Sequence, residues 1–181
     1  AIRQAGGTTF ADVQGFLEAE TFPVVVKPVE SLGSDGVKLC HSYDEAKQHF
    51  ETLLVSDHAG GAAKQSVLCQ EFLRGKEFVI DHVSRDGVHK TCMVYKYDKR
   101  AHNGAPFVYF GVLPVDSESP EARILIPYCR GVLDALGIKN GATHGEVMLT
   151  PDGPCLVEMN VRAHGGDGNW RPLATALTGG Y

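Results

Sequence analysis

The residues best suited to chemistry lie in one stretch near the end of the chain, HGEVMLTPDGPCLVEMNVRAHGG, residues 144–166. Residues 150–154 have the composition of a tight turn between two runs of strand-forming residues, so the stretch predicts a β-hairpin. With the turn centred on Asp152, opposed residues have numbers that sum to 304, and Glu146 then faces Glu158. Like charges opposed on a strand pair are destabilising, so this pairing needs a compensating partner.

A divalent cation held between the two carboxylates would be such a partner. The same register sets His144 opposite Asn160, whose side-chain oxygen is a further hard ligand of the kind that Mg²⁺ prefers. Strand side chains alternate between two faces. The polar face is predicted to hold His144, Glu146, Met148, Leu156, Glu158, Asn160 and Arg162. The core face is predicted to hold Val147, Leu149, Cys155, Val157 and Met159. A solvated hairpin face is the alternative, and a register slip of one residue would break the pairing.

A second candidate for chemistry is Lys27 with the loop that follows it. Lys27 ends a run of three valines, and the loop carries Gly33 and Gly36. Glycines let backbone N–H groups turn toward an anion, and such nests bind phosphate, with the lysine as a point charge beside them. The alternative is a surface turn with an exposed lysine. The chain lacks the phosphate-loop motif and the kinase motifs, which argues against those two nucleotide-binding classes.

The third candidate is CQEFLRGKEF, residues 69–78, which predicts two strands separated by a kink at Arg74 and Gly75. Glu71 and Glu77 flank the kink. A carboxylate can accept hydrogen bonds from both ribose hydroxyls, and exposed backbone at a kink can pair with adenine. Alone, the stretch is equally compatible with charges on an edge strand.

The elements that must position these residues follow from local signals. Helices are predicted over 10–20, after the capping box of Ser42 and Glu45, and from Ser119–Pro120 to Gly137, with a kink or late start at Pro127. Strands are predicted over 22–28, 37–41, 66–72, 76–84, 88–97 and 106–114, followed by the hairpin. Strands outnumber helices and hairpins are frequent, so the predicted fold class is α+β with antiparallel sheet. A basic loop, either solvated or placed near substrate, is predicted to hold Lys96, Lys99, Arg100 and His102.

Composition narrows the function further. The net charge is −5 and the chain has no dense Lys/Arg cluster, so we expect no nucleic-acid partner. No apolar run approaches the roughly 20 residues of a membrane helix, and no signal peptide opens the chain. The five cysteines form no CxxC pair, which favours small buried thiols in a reducing cytoplasm over disulfides or a metal site. Both ends interrupt a pattern, so we expect a fragment of a longer cytoplasmic protein.

In this order, the three motifs resemble the ATP-grasp superfamily of carboxylate–amine ligases, over about residues 22–168. The most specific motif is a glutamate, eleven intervening residues, then E-x-N-x-R and glycines. Its H-x-E and N-x-R-x-x-G-G segments are most similar to the dipeptide-forming L-amino acid ligases, whereas D-alanine–D-alanine ligases and biotin carboxylases are more distant. The resemblance implies two α+β lobes with antiparallel sheets that hold ATP between them. Residues 1–70 would form the small lobe and residues 71–181 the large lobe, with N-terminal and C-terminal domains missing.

The resemblance also implies roles for individual residues. The ATP-binding positions would be Lys27, Ser31, Gly33, Ser34, Gly36, Gln70, Glu71, Phe72, Leu73 and Glu77. Lys27 would bind the phosphates under a mobile lid loop, residues 31–36, while residues 70–73 would line the adenine pocket and Glu77 would hold the ribose. The metal ligands, for Mg²⁺ or alternatively Mn²⁺, would be Glu146, Glu158 and Asn160. Arg162 would stabilise the acyl phosphate and the tetrahedral intermediate.

The implied activity is ATP- and Mg²⁺-dependent ligation of a small-molecule carboxylate, an amino acid, to an amine through an acyl phosphate. Lys27 and Arg162 would be the catalytic residues. Members of this family are often dimers, so a homodimer is compatible with the resemblance. Three alternatives stay open: a purine-biosynthesis or carboxylase-type member, an ATP-binding module without catalysis, and an unrelated α+β domain. Family members carry a further phosphate-binding lysine in a preceding domain, so the resemblance implies that this fragment alone binds ATP weakly and catalyses nothing.

Overall fold

The chain folds as two compact units, each built on its own sheet. The computed structural model describes residues 2–31, 34–56, 66–165, 172 and 175–176. The first unit comprises Ala1–Leu73 and Arg100–Val108, and the second comprises Arg74–Lys99 and Tyr109–Tyr181. In the part of the chain that is described, no helix is long and apolar enough to cross a membrane.

A four-stranded sheet with the order β1-β4-β2-β3 forms the first unit, covered by two helices. Its elements are β1 (Gln4–Gly7), α1 (Ala11–Ala19), β2 (Val24–Pro28), β3 (Lys38–Cys40), α2 (Tyr43–Val55) and β4 (Val67–Glu71). Strand β4 pairs antiparallel with β1 and β2, and β2 pairs antiparallel with β3. Alternate residues of β2, Val24 and Val26, are fully buried and pack with Phe50 of α2 in one apolar core.

The capping signal for α2 is confirmed. The Glu45 backbone N–H donates to the Ser42 hydroxyl over 3.2 Å, and the His41 N–H donates to the Glu45 carboxylate over 2.8 Å. These contacts satisfy N–H groups that a helix start otherwise leaves without partners. The apolar spacing of Ala46, Phe50, Leu53 and Leu54 in the sequence predicts one buried face. The first three are buried in the core, and Leu54 is partly buried against it.

A five-stranded sheet with the order β7-β6-β5-β8-β9 forms the second unit, apart from its residues 100–108, which belong to the first unit. Its elements are β5 (Lys76–Arg85), β6 (Val88–His102), β7 (Ala105–Pro114), α3 (Pro120–Ala135), β8 (Gly141–Thr150) and β9 (Gly153–Asn160). Strand β5 pairs antiparallel with β6 and β8, and β8 with β9. One face of this sheet packs against α3 in a core of Phe78, Ile80, Val94, Ala122, Leu125, Cys129 and Val147.

Helix α3 begins as its sequence predicts and differs from the prediction further along. Ser119 caps it by accepting from the Ala122 N–H over 3.2 Å, and Pro120 occupies the first turn. The helix runs through Pro127, so the predicted late start is wrong. The spacing of Leu125, Cys129, Val132, Leu133 and Leu136 in the sequence predicts one buried stripe. Leu136 is instead 55% exposed, because the helix ends at Ala135 and Gly137 follows with a φ of +69°.

Two further differences concern strands. Strand β1 has no counterpart among the predicted elements, because Gly6 and Gly7 give it little intrinsic strand preference and pairing with β4 holds it. The predicted basic loop is also wrong: Lys96, Lys99, Arg100 and His102 all belong to β6. The turn lies later, at Asn103 and Gly104, whose φ values of +48° and +81° suit a two-residue hairpin turn.

We predict that Gly75→Ala destabilises the chain. A Cβ at Gly75 would collide with the backbone carbonyl of Leu149, with the carbonyl carbon 2.8 Å away. Backbone on a paired strand cannot shift cheaply, so the free energy of unfolding should fall by about 1–3 kcal/mol. Gly131→Ala is the matched control, because this glycine lies in α3 with nothing within 4 Å of the added Cβ. It should raise the free energy of unfolding by up to about 1 kcal/mol. Urea denaturation of both variants measures the difference, and equal effects would contradict the collision.

Thiol labelling of the native chain should be ordered by burial. Cys40, Cys69 and Cys129 are fully buried, and burial raises the pKa of their thiols to about 11, 12 and 12. At pH 8 the reactive thiolate is therefore scarce at these three sites. Cys92 is exposed and Cys155 half-buried. We expect a thiol reagent to modify Cys92 first, and Cys92→Ser to remove the fast phase. Labelling of a buried cysteine at a comparable rate before unfolding would contradict the structure.

Candidate functional site

The opposition of the two glutamates is confirmed. Strands β8 and β9 pair Glu146 with Glu158 and His144 with Asn160. The turn itself differs from the prediction, because Thr150 pairs with Gly153 and opposed residues near the turn have numbers that sum to 303. A register shift between Glu146 and Val147 then restores the predicted pairing. A bulge of this kind inserts one extra residue into one strand.

The bulge changes which residues share a face below the glutamates. Val147 pairs with Leu156 and Met148 with Cys155. Leu156 therefore shares the face of Val147 and packs against the core, while Cys155 shares the face of Met148. The prediction had these two the other way round, because it assumed one constant register through the hairpin.

Glu146 and Glu158 have different surroundings although they are opposed. Glu146 is 8% exposed, whereas Glu158 is exposed. The Glu146 carboxylate contacts Tyr97, whose hydroxyl donates over 3.3 Å, and His144, whose Nε2 lies 3.3 Å away. The Lys99 ammonium lies 3.8 Å from its other oxygen. The protein itself thus compensates the Glu146 charge, so repulsion between the two glutamates does not by itself require a cation.

Lys99 joins Glu146 to a second buried acid, Glu77. Its Nζ donates to Glu77 Oε1 over 2.6 Å and lies 4.4 Å from the ring centroid of Tyr109. Burial raises the pKa of Glu77 to about 7, and the nearby Glu146 adds to this shift although Lys99 opposes it. Burial also opposes ionisation of Glu146, yet hydrogen bonding from His144 and attraction by Lys99 hold its pKa at about 2. Burial and the neighbouring Glu146 therefore favour the neutral form of Glu77, whereas His144 and Lys99 favour the ionised form of Glu146.

His144 links Glu146 to a third buried acid, Asp81. Its Nδ1 lies 2.9 Å from Asp81 Oδ1, and His164 Nδ1 lies 3.3 Å from the other Asp81 oxygen. Burial alone would lower the pKa of His144, but the hydrogen-bonded Asp81 and Glu146 raise it to about 9. Sequence reasoning missed Asp81, Tyr97 and His164. Alternation along β5 was the available signal for Asp81, because it puts Asp81 on the face that carries Glu77.

The end of the hairpin brings the remaining predicted residues of this unit close together. The Asn160 amide donates to Glu158 Oε1 over 2.8 Å. Arg162 is exposed just beyond β9, where its Nη1 donates to the Ala163 carbonyl over 3.1 Å. Glu158, Asn160 and Arg162 therefore form a polar end to the hairpin.

The predicted phosphate-binding residues belong to the first unit. Lys27 is half-buried on β2, opposite Leu68 of β4. Ser31 precedes the loop, and Gly33 lies outside the described residues. Ser34 and Gly36 have φ values of +67° and +72°. These left-handed conformations are of the kind that turns successive N–H groups toward an anion.

The predicted adenine segment is already engaged within the first unit. Gln70 is buried, and its Nε2 donates to Gln4 Oε1 over 2.6 Å. The Glu71 carboxylate accepts from the Arg3 backbone N–H over 2.8 Å and forms an ion pair with the Arg3 guanidinium. Contact of Glu71 with the adenine base of ATP would therefore compete with the ion pair between Glu71 and Arg3. Phe72 and Leu73 lie in an irregular, half-buried segment after β4.

The chain is thus an α+β protein with two antiparallel sheets. One unit carries Lys27 and the glycine loop, and the other carries the acidic hairpin. The ATP-grasp domain family matches residues 20–170, and this chain belongs to that family.

Two named proteins are similar in sequence to most of this chain. Dapdiamide A synthase of Enterobacter agglomerans is 39% identical over 145 residues, covering 80% of this chain and 34% of that protein. Phosphoribosylamine–glycine ligase of Methanobrevibacter smithii is 31% identical over 171 residues, covering 84% of this chain and 38% of that protein. The chain thus spans little more than a third of the length of these relatives.

Solved structures agree on the fold. The L-amino acid ligase of Bacillus licheniformis superposes with a TM-score of 0.74 at 24% identity, over 97% of this chain and 42% of that one. The D-alanine–D-alanine ligase of Bacillus anthracis, in a complex with ATP, gives 0.70 at 19% identity, over 99% of this chain and 56% of that one. The predicted fold class, α+β of the ATP-grasp type, is confirmed.

We predict that Lys99→Met destabilises the chain by about 3 kcal/mol. The substitution leaves Glu77 and Glu146 buried without their shared cation, and breaking a buried ion pair is strongly destabilising. Adding Glu77→Gln should restore part of the loss, because glutamine replaces a carboxyl group that, without Lys99, is either buried as a charge or forced to take up a proton. Chemical denaturation of the single and double variants measures this coupling.

Lys90→Met is the control for the loss of a lysine from the same strand, since Lys90 is exposed on β6. It should change the free energy of unfolding by less than about 0.5 kcal/mol. A double variant no more stable than Lys99→Met would show that Lys99 does not stabilise the chain through Glu77.

Proposed function

We propose that this chain is the ATP-binding part of a ligase that joins a carboxylate, an amino acid, to an amine. The observation that carries the proposal is the register of the hairpin, which opposes Glu146 to Glu158 inside the region matched by the ATP-grasp family. The H-x-E and N-x-R-x-x-G-G segments, which resemble those of the dipeptide-forming L-amino acid ligases, favour an amino acid as the carboxylate. As part of the proposal, residues 1–70 are the small lobe and residues 71–181 the large lobe.

The donor set at the hairpin fits Mg²⁺. Glu146 is held ionised, Glu158 is exposed to solvent, and Asn160 contacts Glu158. Hard oxygen ligands on two or three side chains suit Mg²⁺, which keeps its other positions for water and phosphate. When bound, Mg²⁺ neutralises the charge on the ATP phosphates. Mn²⁺ has a similar preference for carboxylate and carbonyl ligands and is the alternative ion.

The chain's own residues prepare this site before any ion binds. His144 and Tyr97 each contact Glu146 Oε1, so the carboxylate is held in one orientation. Lys99 lies between Glu77 and Glu146 and keeps the two acids together. A ligand group held by packed neighbours loses little freedom on binding, which favours affinity.

Arg162 is the residue we propose for the transfer step. In the proposed reaction, ATP converts the carboxylate into an acyl phosphate, and the amine then displaces phosphate to form the amide. The planar guanidinium of Arg162 can bind an oxyanion and a phosphate oxygen together, and its exposure leaves it accessible.

The other proposed contacts come from residues of the first unit and from Glu77 of the second. We propose that Lys27 and the loop residues Ser31, Gly33, Ser34 and Gly36 bind phosphate. The proposed adenine and ribose contacts are Gln70, Glu71, Phe72, Leu73 and Glu77. In its ionised form, Glu77 can accept hydrogen bonds from ribose hydroxyls. We also propose a cytoplasmic location, where the five thiols stay reduced, and a homodimer.

A second candidate is a purine-biosynthesis ligase, favoured by the 31% identity to phosphoribosylamine–glycine ligase. Both candidates form a C–N bond and release ADP, so they differ only in substrates. A panel of amino acids and amines, including phosphoribosylamine with glycine, separates them on the full-length protein with ADP release as the readout.

We predict that Glu158→Gln abolishes Mg²⁺-dependent binding of a non-hydrolysable ATP analogue to this chain. The substitution removes the charge of a proposed ligand while leaving its shape, and Glu158 is exposed, so the fold should be unaffected. Titration calorimetry with and without Mg²⁺ measures the effect, and a loss of at least about tenfold in affinity is expected.

Glu51→Gln is the control, because Glu51 is an exposed glutamate of α2. It should bind the analogue as the wild-type chain does. Analogue binding that needs Mg²⁺ but is unchanged in Glu158→Gln would remove Glu158 from the metal site. Such a result would favour an ATP-binding module whose function does not depend on this hairpin.

A further inference from the structure

Beside the hairpin lies a second group of metal-ligating side chains, Asp81, His144 and His164. They come from three separate segments: β5, β8 and the chain just after β9. Each offers one ligand atom, and these atoms all lie within 4.8 Å of one another. The three side chains are at most 12% exposed. Two imidazoles and a carboxylate at this spacing match the size of a single ion's ligand shell.

We propose that Asp81, His144 and His164 bind a divalent transition-metal ion of the Zn²⁺ type, distinct from the proposed magnesium ion at Glu146 and Glu158. Imidazole nitrogen suits Zn²⁺ and its neighbours in the first transition row, whereas Mg²⁺ prefers oxygen. Three protein ligands with a fourth position left open form a common zinc arrangement. The proposal concerns an ion bound without nucleotide and does not depend on the ligase reaction.

The hydrogen bonding of His144 supports this assignment. Its Nδ1 faces Asp81 Oδ1 at 2.9 Å, while its Nε2 faces Glu146 Oε1 at 3.3 Å. A metal-ligating histidine usually donates its other ring N–H to a carboxylate, which fixes the tautomer and strengthens the ligand. Glu146 is placed to accept that N–H, which leaves Nδ1 as the ligand atom on the side of Asp81 and His164.

Tyr95 supplies an independent observation. It is 1% exposed, and its hydroxyl has no hydrogen-bond partner among the described residues. Its ring packs edge-on against the ring of His164, with centroids 5.6 Å apart. Burial, and then the negative charge of Asp81, raise the pKa of its hydroxyl. Buried hydroxyls without a partner are uncommon in proteins, and a water in the open position of the metal would give this one a hydrogen-bond partner.

The ion would link the sheet to the segment that carries Arg162. Asp81 and His144 belong to paired strands of the sheet and face each other directly in the register of β5 and β8. His164 lies two residues after Arg162, beyond the end of β9. Coordination of His164 would therefore fix the segment after β9 against the sheet and restrict the positions that Arg162 can reach.

The same side chains could instead form a hydrogen-bonded network around a protonated His144 with no ion. Titration of the metal-free chain with Co²⁺, in the absence of nucleotide, distinguishes the two, because Co²⁺ bound to histidine in a site of this kind gives visible absorption bands. We expect one Co²⁺ per chain, displaced by Zn²⁺ and not by millimolar Mg²⁺. Losing an outer-shell partner typically costs ~10–100-fold in metal affinity, so losing a direct ligand should cost at least that much.

The variants are Asp81→Asn and His164→Gln, each of which should weaken Co²⁺ binding by that factor. Circular dichroism checks that each variant is folded, and His164→Gln changes a residue outside the strands, so the test does not rest on Asp81→Asn alone. The control is His41→Gln, at an exposed histidine of the first unit, which should bind Co²⁺ as the wild-type chain does. Glu158→Gln tests the other site, because Co²⁺ held at the opposed glutamates would be lost in this variant.

Three results would overturn the proposal: no visible bands at millimolar Co²⁺, binding unchanged in both Asp81→Asn and His164→Gln, or displacement of Co²⁺ by Mg²⁺. Loss of Co²⁺ binding in Glu158→Gln would also overturn it, because the ion would then sit at the opposed glutamates. Since ATP is absent throughout, none of these results tests whether the chain binds ATP, so this proposal can fail while the proposed function stands.

Discussion

Three carboxylates are buried on one face of the second sheet, and the surrounding residues must stabilise their charge. Glu77, Asp81 and Glu146 lie on neighbouring strands with side chains at most 12% exposed. Burying carboxylates is costly unless each is paired and hydrogen-bonded. Lys99 and His144 provide those pairs, and the opposite face of the same sheet packs apolar residues against α3. The sheet thus separates an apolar core from a polar face that is held rigid by ion pairs.

This arrangement gives the opposed glutamates different roles. Glu146 is fixed by His144, Tyr97 and Lys99, whereas Glu158 is exposed and contacts only the neighbouring Asn160 among the hydrogen bonds found for the described residues. A fixed carboxylate opposite an accessible one suits an ion that arrives with a ligand, because one half of the site is in place and the other can adjust. This difference between the two glutamates supports the proposed metal site independently of the repulsion between their carboxylates.

Local signals predicted much of this fold. The caps at Ser42 and Ser119 and the apolar spacing of α2 depend on residues a few positions apart, so the sequence alone sufficed for them. The pairing of Glu146 with Glu158 was predicted correctly although the turn was misplaced, because the bulge compensates for the difference. Contacts between residues far apart in the sequence were harder to predict, and Asp81 and His144 are 63 positions apart. Lys99 was assigned to a loop because its charged neighbours obscured the strand pattern. Strand β1 likewise depends on its partner β4.

The proposed binding of the ATP-associated metal by Glu146 and Glu158 together can be tested in a crystal structure. This chain would be crystallised with a non-hydrolysable ATP analogue and Mn²⁺, with diffraction data collected at the manganese absorption edge. We expect an anomalous peak within coordination distance of both the Glu146 and the Glu158 carboxylates, beside the phosphates of the analogue. Bound analogue with no manganese peak at Glu158 would show that Glu158 does not bind this metal.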